Sequence, residues 1–475
     1  EFRRVLFRSN GPSFDTEQSE EERLAALPAY FTVDEVTRRH FDVGELLDHL
    51  GIPPMLQYDS QTESWQKYTG ELGANQRISA LWLKAYNLIW NEYYRSQDLE
   101  EPVDLEIDKM GRVEYDSTAD NKHNAWFQLK RANWEKDYFT ASLPNTQKGN
   151  PVEIGGLVTQ GGLNVVLSEE STSEQHIYNS TTGVSNSTDN LSVRNGRLQF
   201  GASSNVGSSA LLDPNGTLKA VLGQSGTPYT VEALRKSMML QRYYELLMRG
   251  GSRYVEQIRN IFGVTPDDLR IGRPKYLGGG VQNVLISEVL QQSESSANSP
   301  LGELAGKGLS YGKPGHFSTY ITEHGVIMGI LCILPRSGYG QGLPKELWKE
   351  DPFEFLNPRF DHLGEQPVWK GELLYDYSKS REENLAAFGY MPNYMEYRTI
   401  PDQLAGQMRT SLSGWHMNRL FDSQPVLNSD FIKVKETDVD RVFAVDTDIS
   451  DPVIAESVHH IKAIRPLSKY GTPGF

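Results

Sequence analysis

A 475-residue chain with 62 acidic and 47 basic side chains carries a net charge of −15. That balance excludes a protein that wraps nucleic acid over most of its surface, so any such contact is a local patch or is shared with a separate basic protein. A lone cysteine excludes an intrachain disulfide and a cysteine-based zinc site, and no apolar run approaches the ~18–20 residues of a membrane span.

The first ten residues, EFRRVLFRSN, are basic but lack the apolar segment and small-residue cleavage site of a secretion signal. They read as a tag-like or scar-like extension outside the fold. Residues 11–30 are polar and acidic and predict a mobile arm. Phe41, Val43, Leu46, Leu47 and Leu50 suggest a short helix ended by Gly51. Residues 78–99, ISALWLKAYNLIWNEYYRSQDL, predict a longer helix, with Leu81, Ala85, Leu88, Ile89 and Tyr93 on one face. Glu92 and Arg95 are i,i+3 neighbours on it and suit an ion pair. The acidic residues between Asp104 and Asp120 lack calcium-loop spacing and read as a solvated face. Gln147-Lys148-Gly149 has neither the frame nor the helix of a phosphate loop.

From Gly155 to Gly226 the composition shifts to Ser, Thr, Asn and Gly. Asn195-Gly196 is a two-residue hairpin signal, and Asp213-Pro214-Asn215-Gly216 is a second turn. We expect a small β-rich insertion with too few apolar residues to fold alone. Helical spacing returns at 230–249 and 252–262. Thr230 is the expected N-cap, Gly250-Gly251 the break, and Gly263 the stop.

The run Gly325–Leu334 is almost continuously apolar and predicts a strand buried on both faces, with Cys332 as a core thiol. His324 has no partner at triad or ligand spacing and reads as structural. Residues 335–375 hold Tyr339, Trp348, Phe353, Phe355, Phe360 and Trp369 between prolines, a pattern suited to subunit contacts. Residues 415–434 read as ending in a strand, and the tail from Val442 alternates as strands do. His459-His460 would face opposite sides of such a strand.

Many short strands, frequent Gly and Pro turns and few helices predict a mainly β sandwich or jelly roll with helical insertions. No motif places a reactive centre, and no cofactor is implied. A carbohydrate-binding or carbohydrate-cleaving β-sandwich is the alternative from composition; cleavage would need two facing carboxylates.

Several longer runs are specific. They are AYNLIWNEYYRSQDL at 85–99, WEKDYFTASLPNTQKGNPVEI at 134–154, and QRYYELLMRGGSRYVEQIRNIFGV at 241–264 with RPKYLGGG after it. Gly51-Ile52-Pro53, Glu323-His324-Gly325, His362, Gly364-Glu365-Gln366, FGYMPNYMEYRTIPDQLAGQMR at 388–409 and Pro425–Ser429 add to them. Together they resemble the major capsid proteins of microviruses, most closely the gokushovirus branch.

The resemblance implies an eight-stranded antiparallel jelly roll of viral capsid type, with long loops, helical insertions and a surface protrusion, and a strand at Asp137–Thr140 before a Leu143-Pro144 turn. Its parts would be 1–30 as extension and arm, 31–154 and 227–475 as the jelly-roll domain, and 155–226 as an outer protrusion near a three-fold axis. Gly156, Asn195, Gly196, Asn215, Gly216 and Ser225 mark that protrusion. The implied function is structural: sixty copies in a T=1 shell around circular single-stranded DNA, assembled in the host bacterial cytoplasm. Implied partners are further copies of the chain, the DNA, a small basic DNA-binding protein, a scaffolding protein, a pilot protein and a host receptor or glycan. Lys130, Arg131, Arg409 and Arg419 are the candidate DNA contacts.

Overall fold

The protein was described from a computed structural model. It describes residues 2–5, 29–149 apart from 75, 107–110, 114 and 116–121, strand backbone between 164 and 221, and 231–465 apart from 268–271, 291–303, 314, 322–324 and 444–450. The described strands pair into small antiparallel sheets of two or three strands. Among the described residues, long loops carry much of the backbone between these sheets. The chain divides into two compact units, Glu1–Thr146 with Gly250–Phe475, and Gln147–Arg249.

In the first unit, β1 (Phe2–Val5) lies between β13 (Lys275–Gly278) and β16 (Val326–Gly329). The basic extension thus contributes a strand and does not stay outside the fold. β2 (Tyr30–Thr32) pairs with β5 (Arg77–Ser79), with Phe31 opposite Ile78. The helix expected from 78 therefore starts later, as α2 (Leu81–Ile89), and β3 (Leu56–Asp59) and β4 (Ser64–Lys67) form a hairpin before it. α1 (Leu46–His49) stands where the Leu46-Leu47 pair predicts a helix, and Gly51 follows at φ +83°.

α2 is buried nearly all round, which its single predicted face did not foresee: Leu83, Lys84, Ala85, Asn87, Leu88 and Ile89 are all buried. The donors of its polar members each find a carbonyl, while Asn87 Oδ1 is buried without a hydrogen-bond partner. Lys84 Nζ donates to Glu106 O at 2.9 Å and lies over the Trp126 ring. Asn87 Nδ2 donates to Leu83 O and Trp126 O, both at 2.9 Å. Phe31, Phe41, Leu46, Leu47, Trp126 and Phe127 complete this first core.

Past Ile89 the helix widens into a π-turn, Trp90–Tyr94, closed by Arg95 N–H to Trp90 O at 2.8 Å. The wider turn frees carbonyls that Arg253 caps, donating to Asn91 O and Glu92 O at 2.6 Å each. Glu92 pairs with Arg273 at 3.2 Å, while Arg95 donates to Glu100 O at 2.7 Å. The i,i+3 pair expected from α-helical spacing gives way to these partners.

α4 (Tyr254–Phe262) ends at Gly263, φ +69°, as its sequence predicts. Gly251 before it has φ +89°, and a Cβ there would lie 2.1 Å from Glu256 Oε2. Asp137–Thr140 is not the strand that the resemblance implies. Asp137 Oδ1 accepts from Phe139 N–H and Thr140 N–H and bends the segment into a turn. That turn buries Tyr138 and Phe139 in a second core with Tyr339, Val368, Leu373, Phe388, Met391 and Phe431. β17 (Glu365–Trp369) and β18 (Ala387–Pro392) form its sheet. Gly389 in β18 lets Leu427 and Ser142 approach closely; a Cβ would sit within 2.9 Å of both. Residues 429–432 form a helical turn capped by Asn428, which accepts from Phe431 N–H, in place of the expected strand. The strand expected over 325–334 is confined to β16, with Leu331, Ile333 and Leu334 exposed, and Cys332 is exposed rather than core.

The second unit holds the composition-shifted region and more. α3 (Val231–Gly250) belongs to it, so it extends beyond 155–226 on both sides. β6 (Asn164–Leu167) pairs with β12 (Leu218–Val221), and β7 (Ile177–Asn179) lies between β8 (Ser185–Asn186) and β11 (Ala210–Leu212). β9 (Leu191–Arg194) pairs with β10 (Arg197–Phe200), Arg194 opposite Arg197, the register that a two-residue hairpin requires. Lys148 N–H donates to Tyr244 O at 3.3 Å and Gln241 to Gln147, tying the unit's first residues to α3. The protrusion markers Gly156, Asn195, Gly196, Asn215, Gly216 and Ser225 lie outside the described residues, as do Thr230 and His324.

Candidate assembly surface

Large apolar side chains stand uncovered on three stretches of the first unit. Val281, Leu285, Leu309, Tyr311, Tyr320 and Leu331 are exposed on β14 (Leu285–Leu290), β15 (Leu304–Leu309) and the segments around β16. Tyr254, Ile261, Phe262 and Val264 are exposed on and just after α4. The third stretch is the proline-punctuated loop with Leu347, Phe353, Leu356 and Leu363. Single exposed apolar residues are ordinary, but contiguous runs mark surfaces that a partner covers.

The third stretch is built to hold its shape. Its root is Trp348, buried and set against Trp369 at 5.9 Å and Tyr375 at 5.3 Å between ring centroids. Outward from it, Asp351 caps the turn Pro352–Glu354 by accepting from Phe353 N–H at 2.9 Å. Asn357 caps Pro358–Phe360 in the same way, accepting from Arg359 N–H at 3.0 Å. Proline fixes φ at the start of both turns. Phe353 and Leu356 are thus presented on braced backbone, which lowers the entropy lost when they are buried.

Beneath this loop is a cluster of buried charges. Lys349 Nζ lies 2.7 Å from Glu396 Oε1, with both side chains under a tenth exposed. Lys345 Nζ donates to Pro367 O at 2.6 Å, lies 3.9 Å from Glu372 and sits over the Trp369 ring. Tyr138 Oη donates to Glu372 Oε2 at 3.2 Å, and Glu372 Oε1 accepts from Trp369 N–H at 2.8 Å. Burial raises the Glu372 carboxyl to about 7, against the lowering pull of Lys345. Both carboxylates are thus committed to lysines inside the fold, not set facing each other across a cleft. A cavity of about 290 Å³ on α3 is lined by Met239, Arg242, Tyr243, Leu246 and Arg249, with no carboxylate among them. Sequence reading missed the charge cluster; Lys345 and Lys349 at i,i+4 look like a solvated helix face.

The four candidate DNA contacts are held by separate local partners. Arg419 is buried, donating to Phe431 O with its guanidinium 4.0 Å from the centroid of that ring. Lys130 is half-buried: Nζ donates to Ala125 O at 2.8 Å and lies over Trp90, and burial, helped by Lys433, lowers its ammonium to about 8. Arg131 is exposed and paired with Glu436 at 2.8 Å. Arg409 is exposed, with Nε donating to Leu404 O at 2.9 Å. Among the described residues no helix is long and apolar enough to cross a membrane.

This surface offers large apolar side chains for packing. Comparison with known proteins agrees. The family model described as "Capsid protein (F protein)" matches residues 40–475. Capsid protein VP1 of Chlamydia phage 1 is 34% identical, covering 84% of this chain and 75% of its own length. Capsid protein VP1 of Bdellovibrio phage phiMH2K is 32% identical over 91% of this chain and 76% of its own, and that of Spiroplasma virus 4 is 27% identical over 91% and 77%. With its matched motifs, braced apolar loops and a family match over most of its length, the chain belongs to the capsid protein (F protein) family of the microviruses.

Proposed function

We propose that this chain is the major capsid protein of a gokushovirus-like phage, closing as sixty copies into a T=1 shell around circular single-stranded DNA. The observation that carries this reading is the run of uncovered apolar side chains on preorganised loops and strands in the first unit. A closed shell requires heterologous contacts repeated around its axes, and such stretches supply the area. A jelly-roll framework is the fold that the family resemblance favours for holding them. The region 155–226 suits an outer, host-attaching protrusion: polar tips cost little to expose, and its hairpins need support from neighbours. Packaged DNA would be met by local basic patches, with Arg131 and Arg409 the accessible members of the candidate set. Because the net charge is −15, a small basic protein of the phage would carry most of the phosphate neutralisation. A scaffolding protein and a pilot protein complete the expected set, and the protein's place is the virion, after assembly in the host cytoplasm.

The test is expression with the phage scaffolding partner, followed by negative-stain imaging and sedimentation. Uniform small particles are expected. A soluble monomer under every assembly condition tried would overturn the reading.

A further inference from the structure

The described tail, residues 451–465, does not form the strands that its alternation suggests, nor a helix, and runs exposed. Ile454 is 95% exposed, Val458 73%, Ile461 83% and Ile464 105%. Such values are those of an unfolded chain, in a protein that has two ordered apolar cores. These four residues fall at i, i+4, i+7 and i+10, which places them in one stripe of an α-helix. Asp451-Pro452 is a helix start, with a capping side chain and proline at the first helical position. Pro466 disfavours helix at Arg465 and so ends it. The segment therefore carries the start, stripe and stop of a helix of about fourteen residues, yet no helix forms. Isolated helices of that length are marginal in water and need a surface under their apolar face.

We propose that residues 452–465 are an assembly arm that folds into a helix when it docks on a second copy of this chain. The inference rests on the capsid reading above and names one of its contacts. A second copy is the occupant the charges favour. The chain as a whole is strongly acidic, whereas the distal part of the arm holds Lys462, Arg465 and the pair His459-His460 with no carboxylate after Glu456. Another copy also offers uncovered apolar side chains to meet the stripe, Leu331, Ile333 and Leu334 among them. Folding on docking makes the contact conditional on a neighbour, so the arm favours the shell over the free subunit.

The test uses the full chain with Val458→Asp and Ile461→Asp together. Both positions are uncovered in the subunit, so its thermal unfolding should move by no more than about 1 °C. Particle yield is expected to fall at least tenfold relative to wild type assembled in parallel. A synthetic peptide of residues 451–466 should gain helical circular dichroism on titration with the doubly substituted chain, whose docking surface remains open. Wild-type yield from the variant would overturn the arm. Peptide binding without gain of helix would overturn its folding on docking. Shells that form normally from the variant but lack nucleic acid would overturn the choice of a second copy and assign the arm to DNA. Should wild type itself give no particles, the capsid reading falls, and the peptide titration still decides whether the arm binds its own chain.

Discussion

The two cores of the first unit solve burial differently. The first, around α2, is apolar and aromatic, and the buried donors of Lys84 and Asn87 meet backbone carbonyls. The second, under β17 and β18, adjoins two lysine–glutamate pairs that are nearly dry. Carbonyl-capped groups keep their partners at any pH, whereas ion pairs in a low dielectric are costly to assemble and costlier to break. The first core should therefore fail by losing volume, and the second by losing charge balance.

The largest effect should come from volume. Trp126 is fully buried, with its indole N–H donating to Asp104 O at 2.8 Å. Trp126→Ala is expected to cost about 5 kcal/mol, the upper end for an aromatic truncation, and to abolish soluble yield. Retained yield and a denaturation midpoint near wild type would show that the first core is looser than its burial implies.

Next is the charge balance of the second core. Lys349→Met alone leaves Glu396 buried beside Gln366 without its cation. The expected cost is about 3–4 kcal/mol in chemical denaturation. Lys349→Met with Glu396→Leu should recover most of it, because the pair stabilises less than its rupture costs. A double variant as unstable as the sum of its singles would remove the distinction between the cores.

The cores also titrate in opposite directions. Glu372, at about 7 in the fold against its ordinary 4.5, binds a proton more tightly folded than unfolded. Its contribution to stability is fully present below pH 4.5 and is lost as pH rises through 7, by about 3 kcal/mol. In the first core, burial and the Arg39 guanidinium lower His40 to about 4 from its ordinary 6.5. Its neutral ring stacks on Phe127 at 4.9 Å and bonds Tyr115 Oη at 2.7 Å, a contribution present above pH 6.5 and lost as pH falls through 4. Between pH 4.5 and 6.5 the two slopes oppose. Glu372→Gln should expose the His40 slope alone, so that the variant loses stability on acidification more steeply than wild type. Parallel stability curves from pH 7 to 4.5 would show that Glu372 does not titrate there.

What was legible in the sequence follows the same division. Helix ends bracketed by glycine at 250–251 and 263 were readable because a left-handed residue leaves few alternatives. The β9–β10 register was readable from Asn-Gly for the same local reason. Features set by distant partners were not. Ile78 reads as the start of a helix until Phe31, 47 positions earlier, pairs with it in a sheet. The π-turn at Trp90–Tyr94 depends on Arg253 capping its carbonyls. Asp137–Thr140 is a strand by family resemblance, but the Asp137 carboxylate competes for the backbone and wins. Of the assembly surface, the aromatic loop was legible as packing-rich, but composition could not separate its buried root, Trp348, from its exposed tip, Phe353. The apolar run at 325–334 misled in the opposite sense: periodicity tells that side chains seek cover, not whether the same chain provides it.

That last point gives the smallest expected effect on the subunit and a decisive one on assembly. Phe353 and Leu363 contribute little to the folded monomer, since both are more than two-thirds exposed. Phe353→Ser with Leu363→Ser should change unfolding free energy by less than about 0.5 kcal/mol, as for surface substitutions away from caps and cores. The caps from Asp351 and Asn357 remain, so the loop keeps its shape. If neighbouring copies cover this loop, removing two large apolar side chains from a contact repeated throughout the shell multiplies a small loss per subunit. Particle yield should then collapse while the monomer melts as before. Equal losses in both measurements would mean that the loop packs on its own subunit, and unchanged yield would move the contact to the strands around β16 or to α4.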